Sequence, residues 1–140
     1  MKNGMMVGWS VRLAVVALSL AICGGCESED TESEITATRF YVDRELRNYS
    51  STDEFTWETT LNQAVTTVRI NNFTEGDTTL RVYDGRGVLV QAALLDTLNS
   101  VYYVDWSLFY QRQTDAGVAG TWRIVLSYSD FSGDISVTLE

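Results

Sequence analysis

Apolar residues over the last three-quarters of this chain recur at every second position, and that spacing limits the fold more than any other feature. Phe55, Trp57 and Leu61 share one parity, with Thr56, Glu58 and Thr60 on the other. Val68 and Ile70 alternate with Thr67, Arg69 and Asn71, and Leu80 and Val82 with Thr79, Arg81 and Tyr83. Trp122, Ile124, Leu126 and Tyr128 alternate with Arg123, Val125 and Ser127. Ile135, Val137 and Leu139 alternate with Asp134, Ser136, Thr138 and Glu140. Successive side chains of a strand point to opposite faces, so each segment reads as a strand with one face in a core and one in water. Phe40 with Val42, the run Val88 to Leu95, and Tyr102, Val104, Trp106 and Leu108 on one parity supply three more. A sustained helical period is missing after Cys26. Arg86 to Leu98 comes nearest and fits a helical face only in part.

Turn chemistry separates these segments. Glu75-Gly76-Asp77, Asp84-Gly85-Arg86-Gly87 and Ser129 to Gly133 carry the Asp and Gly residues that hairpin turns use. Phe131 falls inside the last of them and is expected to fold back over the end of the core. The prediction is an all-β chain over residues 35–140, a single antiparallel β-sandwich of seven or eight strands following an N-terminal signal peptide. The sequence has no proline. Its edge strands must therefore be guarded by outward charge, for which Arg69, Arg81, Arg123 and Glu58 are candidates.

The first 26 residues have a different character. Lys2 and Arg12 precede a ten-residue apolar run, Leu13 to Ile22, that is too short to span a bilayer. It ends in Cys23-Gly24-Gly25-Cys26. This segment resembles a bacterial lipoprotein signal, cut before a cysteine that carries the lipid. The resemblance implies cleavage after residue 25 and acylation of Cys26, which follows the small Gly25. Cys23 stands where lipoproteins usually carry Leu. A disulfide or a redox C-x-x-C pair, an uncleaved anchor, and a cleaved signal without lipid are the alternative readings. Glu27, rather than Asp, follows Cys26, which in Gram-negative lipoproteins implies the outer membrane. Residues 27–34 hold five of the 19 carboxylates and no base, and are expected to form, with lipidated Cys26, an acidic tether over 26–34 between bilayer and domain.

A second resemblance covers residues 65–139. The hairpin Val82-Tyr83-Asp84-Gly85-Arg86-Gly87 and the strand Gly120-Thr121-Trp122-Arg123-Ile124-Val125-Leu126 are similar to those of secreted bacterial β-sandwich modules, including modules appended to proteases. That likeness implies an accessory or binding module rather than a catalytic one, on the strength of architecture alone.

The chemistry available is narrow. There is no His, and the only Lys is Lys2 in the signal. His-dependent triads, Cys/His zinc sites and haem ligation are excluded, and a Ser nucleophile has no Lys to activate it. The eight arginines after Cys26 stay protonated and make poor general bases. A net charge of −9 speaks against nucleic acid as a partner. The carboxylates beside turn glycines, Asp130, Asp134, Asp77 and Asp84, are weak calcium candidates, since a hard cation wants six to eight oxygens. The same residues are ordinary turn formers, and no metal or other cofactor is expected. Tyr103 and Phe109 are expected to lean outward from an aromatic strand, with Arg112 on the rim, as a binding surface. The expected role is a non-enzymatic, membrane-anchored envelope lipoprotein that is structural or contacts other proteins. The alternative is a carbohydrate-binding module, with or without calcium. The expected partners are the lipid bilayer and envelope proteins or glycans.

Overall fold

A computed structural model describes residues 29–96, 102–104 and 107–140. All regular structure among them is β: β1 (Glu29–Thr36), β2 (Arg39–Tyr49), β3 (Thr52–Thr59), β4 (Val65–Tyr83), β5 (Leu89–Leu95), β6 (Tyr102–Val104), β7 (Ser107–Gln113) and β8 (Gly120–Leu139). Every pairing is antiparallel. The expected all-β antiparallel sandwich is what the chain forms.

Two long strands, β4 and β8, run side by side and belong to both halves of the sandwich. The C-terminal half of β8 pairs with β2, and its N-terminal half pairs with β3. The N-terminal half of β4 pairs with β7, and its C-terminal half pairs with β5. One half-sheet therefore runs β1-β2-β8-β4-β7-β6, and the other runs β3-β8-β4-β5. The sheet folds where β4 and β8 lose register, between Asn71 and Asp77 opposite Ser129 to Asp134. Asn72, Gly76 and Asp130 adopt positive φ there, at 49°, 85° and 47°. Bulges of this kind bend a strand and add twist.

This corrects two expectations. Glu75-Gly76-Asp77 and Ser129 to Gly133 are bends within continuous strands, not turns between strands. A positive-φ Gly or Asp serves a bulge as well as a hairpin, so composition alone does not distinguish them. Gly76 is required at its bend twice over. A Cβ there would lie 2.4 Å from the backbone oxygens of both Ser129 and Asp130, and its φ is left-handed. The turn at Asp84 is a true one, joining β4 to β5 with Gly87 N–H donating to Asp84 O at 2.8 Å. Leu89–Leu95 is strand β5, as the run Val88 to Leu95 led us to expect.

The core lies between the two half-sheets. Phe40 of β2 meets Phe55 and Trp57 of β3, with ring centroids at 5.7 and 6.4 Å. Trp57 packs edge-on against Trp122 at 5.8 Å, and both are fully buried. Each indole N–H still finds an acceptor: Trp57 donates to Thr36 O at 2.6 Å and Trp122 to Val118 O at 2.8 Å. At the fold, Phe131 is fully buried against Phe73 and Tyr128, as its position in the sequence led us to expect. One charged pair crosses this interior. Arg44 of β2 donates to Asp53 of β3, and Asp53 also accepts from the Tyr49 hydroxyl at 3.1 Å.

The acidic run also departs from expectation. From Glu29 onward it is strand β1, so only residues 26–28 of the expected tether precede the sheet. Backbone pairing with β2 is indifferent to side-chain charge as long as the carboxylates stay in water. Glu32 and Glu34 do stay exposed, and Glu34 lies 3.7 Å from Arg39.

Candidate functional site

The outer surface of the larger half-sheet forms an open trough of about 410 Å³. Strand parity decides what lines it. Alternate residues of β2, β8, β4 and β7 are committed to the core, so their neighbours face outward. Register then sorts the outward residues into rows across the sheet. One row reads Tyr41, Thr138, Thr67, Gln111, and the next reads Asp43, Ser136, Arg69, Phe109. Arg39 and Glu140 close one end, 3.8 Å apart. A second depression of about 310 Å³ lies on the same face beyond Arg69, lined by Asn71, Ser107, Leu108 and Phe109.

The floor is rich in hydroxyl and amide groups. Gln111 Nε2 donates to Thr67 Oγ1 at 3.1 Å, and Ser107 Oγ to Asn71 Oδ1 at 3.3 Å. Tyr41 donates to Asp43 at 2.9 Å. Burial, the bond to Asp43 and the negative charges of Asp43 and Glu32 hold the Tyr41 phenol above its usual pKa, so it remains a protonated donor. The Arg69 guanidinium lies over the Phe109 ring, 5.6 Å from its centroid. Arg39 lies similarly over Tyr41 at 5.8 Å. A polar network anchors β7 from behind: Thr66 Oγ1 donates to Gln91 Oε1 at 2.5 Å, and Gln91 Nε2 donates to the Tyr110 hydroxyl at 3.1 Å.

The residues expected to form a binding surface are divided by the structure. Phe109 is half-buried and lines the second depression. The single strand expected through Tyr102 and Leu108 is a hairpin of β6 and β7, and it pairs Tyr102 with Phe109 and Tyr103 with Leu108. Tyr102, not Tyr103, therefore holds the register position beside Phe109. Arg112 is exposed but pairs with Thr66, whose parity is that of the core, so it is not in the row of Phe109 or Gln111. Tyr41, Thr67, Ser136 and Thr138 were not singled out from sequence, and Arg69 was expected only as an outward charge guarding an edge, although β4 lies inside the sheet. Each reads alone as an ordinary solvent-facing strand residue, and only strand order brings them together.

The four calcium candidates do not converge. Among the described residues no group of three or more Asp, Glu, His or Cys is placed to hold a metal. Asp84 is buried at the end of β4, roughly 23 Å along the strand from Asp77 by its rise per residue. It accepts from the backbone N–H groups of Arg86, Val88 and Val118 at 2.9, 2.9 and 3.0 Å. Desolvation pushes its pKa up, but these bonds outweigh it and the net shift is downward. It is the clasp of the β4–β5 turn. Asp134 accepts from Arg47 at 3.1 Å and Asn72 at 2.5 Å, and Asp130 from Ser50 at 3.0 Å. Asp77 pairs with Ser129. Cys26, the expected lipidation site, lies outside the described residues.

No family model matches the chain, and no curated protein matches it. Among solved structures it is similar to a non-crystalline cellulose specific carbohydrate-binding module, with a TM-score of 0.40 and 12% identity over 80% of this chain and 76% of that one.

Proposed function

We infer that the chain is a non-catalytic binding domain, held at a membrane by lipid on Cys26, that carries a polar glycan on the open face of its larger half-sheet. The trough is the observation that carries this reading. Four adjacent strands present a row of hydroxyl, amide and aromatic groups on this face, and in the row beside it the Arg69 guanidinium lies over the Phe109 ring. Such a surface offers donors and acceptors for sugar hydroxyls and flat faces for sugar rings. It favours the glycan reading over a purely structural or protein-docking role. The lack of His, and of Lys after residue 2, supports a binding rather than a catalytic role. The apolar run ending in Gly25-Cys26 supports the anchor, and outer-membrane residence follows from Glu27 on the same resemblance.

Affinity electrophoresis of the full chain in gels loaded with soluble neutral polysaccharides tests the site. Retardation by at least one of them, lost in Phe109→Ala and Gln111→Ala, is expected. Unchanged mobility with every polysaccharide refutes the site. Palmitate labelling lost in Cys26→Ala but kept in Cys23→Ala tests the anchor.

A further inference from the structure

The trough and the second depression share one wall. Arg69 lines both, and its guanidinium is propped on Phe109 between them. On the first side lie Tyr41, Thr67 and Gln111, and on the other lie Asn71 and Ser107. Strand spacing and rise put the diagonal from Tyr41 to Ser107 at roughly 20 Å, the span of several sugar rings. The charge of the face restricts the ligand further. Glu32 and Glu34 of β1 pair with Asp43 and Tyr41, placing their register positions on this same face, where Asp43 and Glu140 add two more carboxylates. Against these stand Arg39, already near Glu34 and Glu140, and Arg69, with no carboxylate partner among the described residues. A face so rimmed repels an anionic chain.

We propose that the ligand is an uncharged glycan chain, read as a chain: it lies diagonally across both depressions and over the Arg69–Phe109 ridge between them. This rests on the glycan reading above and adds the charge class, the minimum length and the residue that joins the two subsites. The planar guanidinium, with its lower face on Phe109, presents its upper face and edge donors to the sugar that crosses the ridge. Single sugars fill one depression only. Joining two weak subsites through one ligand makes the second contact intramolecular.

Isothermal titration of the full chain in detergent, with glucose, mannose and N-acetylglucosamine β-1,4-oligomers of one to six units and with oligogalacturonate as the anionic control, tests this. Affinity should rise roughly tenfold or more with chain length in at least one neutral series and then level off. Arg69→Ala should flatten that rise, and Arg69→Lys, which keeps charge without the planar fork, should restore only part of it. Gln111→Ala and Asn71→Ala, one in each depression, should each move the plateau to a shorter oligomer. Circular dichroism confirms that each variant is folded. A neutral series whose affinity is independent of length overturns the chain reading and leaves the glycan reading standing. Tighter binding of oligogalacturonate overturns the charge assignment. No binding of any neutral oligomer overturns both.

Discussion

Breaking the Arg44–Asp53 pair from one side should destabilise the domain far more than removing both partners. The pair joins β2 to β3, and thus one half-sheet to the other, with side chains only 10% and 8% exposed. In Asp53→Leu the guanidinium is left inside with the Tyr49 ring, 5.3 Å away, as its remaining described contact, and its Nε lacks a partner already. An uncompensated buried charge of this kind costs about 3–5 kcal/mol. The Tyr49 hydroxyl also loses its acceptor, adding about 1–3 kcal/mol if it finds no other. A domain of this size has about 5–15 kcal/mol in all, so Asp53→Leu should leave it barely folded. Arg44→Met should cost about 3–5 kcal/mol for the mirror reason, an unpaired buried carboxylate. The double variant Arg44→Met/Asp53→Leu should recover most of the loss, and adding Tyr49→Phe should bring stability to within about 1 kcal/mol of the parent. Urea titrations followed by the emission of the buried Trp57 and Trp122 give all four values. Either of two results would refute the reasoning: Asp53→Leu costing under about 1 kcal/mol, or a double variant as unstable as the two singles added together.

Three further outcomes follow from the bends and buried groups. Gly76→Ala should cost about 2–4 kcal/mol, read as a lower urea midpoint, because the new methyl meets two carbonyl oxygens at a left-handed φ. Asp84 is held below its usual pKa of 3.8, so its contribution is present above that value and lost as pH falls through the folded-state pKa. Thermal melts of Asp84→Asn should therefore show a lower melting temperature at neutral pH and a shallower decline on acidification than the parent. Tyr128 is raised above 10.0, chiefly by burial, so it favours folding below that pH and costs stability as pH rises beyond it. Its hydroxyl has no partner among the described residues, so Tyr128→Phe should hold neutral-pH stability within about 1 kcal/mol and soften the alkaline loss.

The core was legible and the site was not. Trp122, Ile124 and Leu126 announce their common face by spacing alone, and all three are fully buried. The parity change after Tyr128, which turns Phe131 and Ile135 inward, was visible as two separate alternations. What alternation cannot say is whether the residues between them turn the chain back or bend it onward, since both use Gly and Asp at positive φ. Tyr102 and Tyr103 show the same weakness. A hairpin between Val104 and Ser107 reverses which of them lies beside Phe109, and one parity drawn through the whole segment assigns it wrongly. The trough lay further out of reach. Tyr41, Ser136, Arg69 and Gln111 are neighbours only because β8 inserts between β2 and β4, a long-range fact that local pattern does not encode. Phe109 was singled out because an outward aromatic is unusual on its own.

The placement of β8 has a consequence for when this domain can exist. It is the last of the described strands in chain order, yet it is the partner of β2, β3 and β4 and lies at the centre of both half-sheets. Until it arrives, β3 pairs with nothing among the described strands, and β2 has only β1. A nascent chain ending before Gly120 can form the β4–β5 and β4–β7 pairings, but nothing joins them to the N-terminal strands. Closing the structure needs contacts of long sequence separation, which are slow to form. The order of the strands thus withholds the central pairings until β8 has been made. A polypeptide exported as an extended thread, as the proposed lipid anchor requires, benefits from that delay.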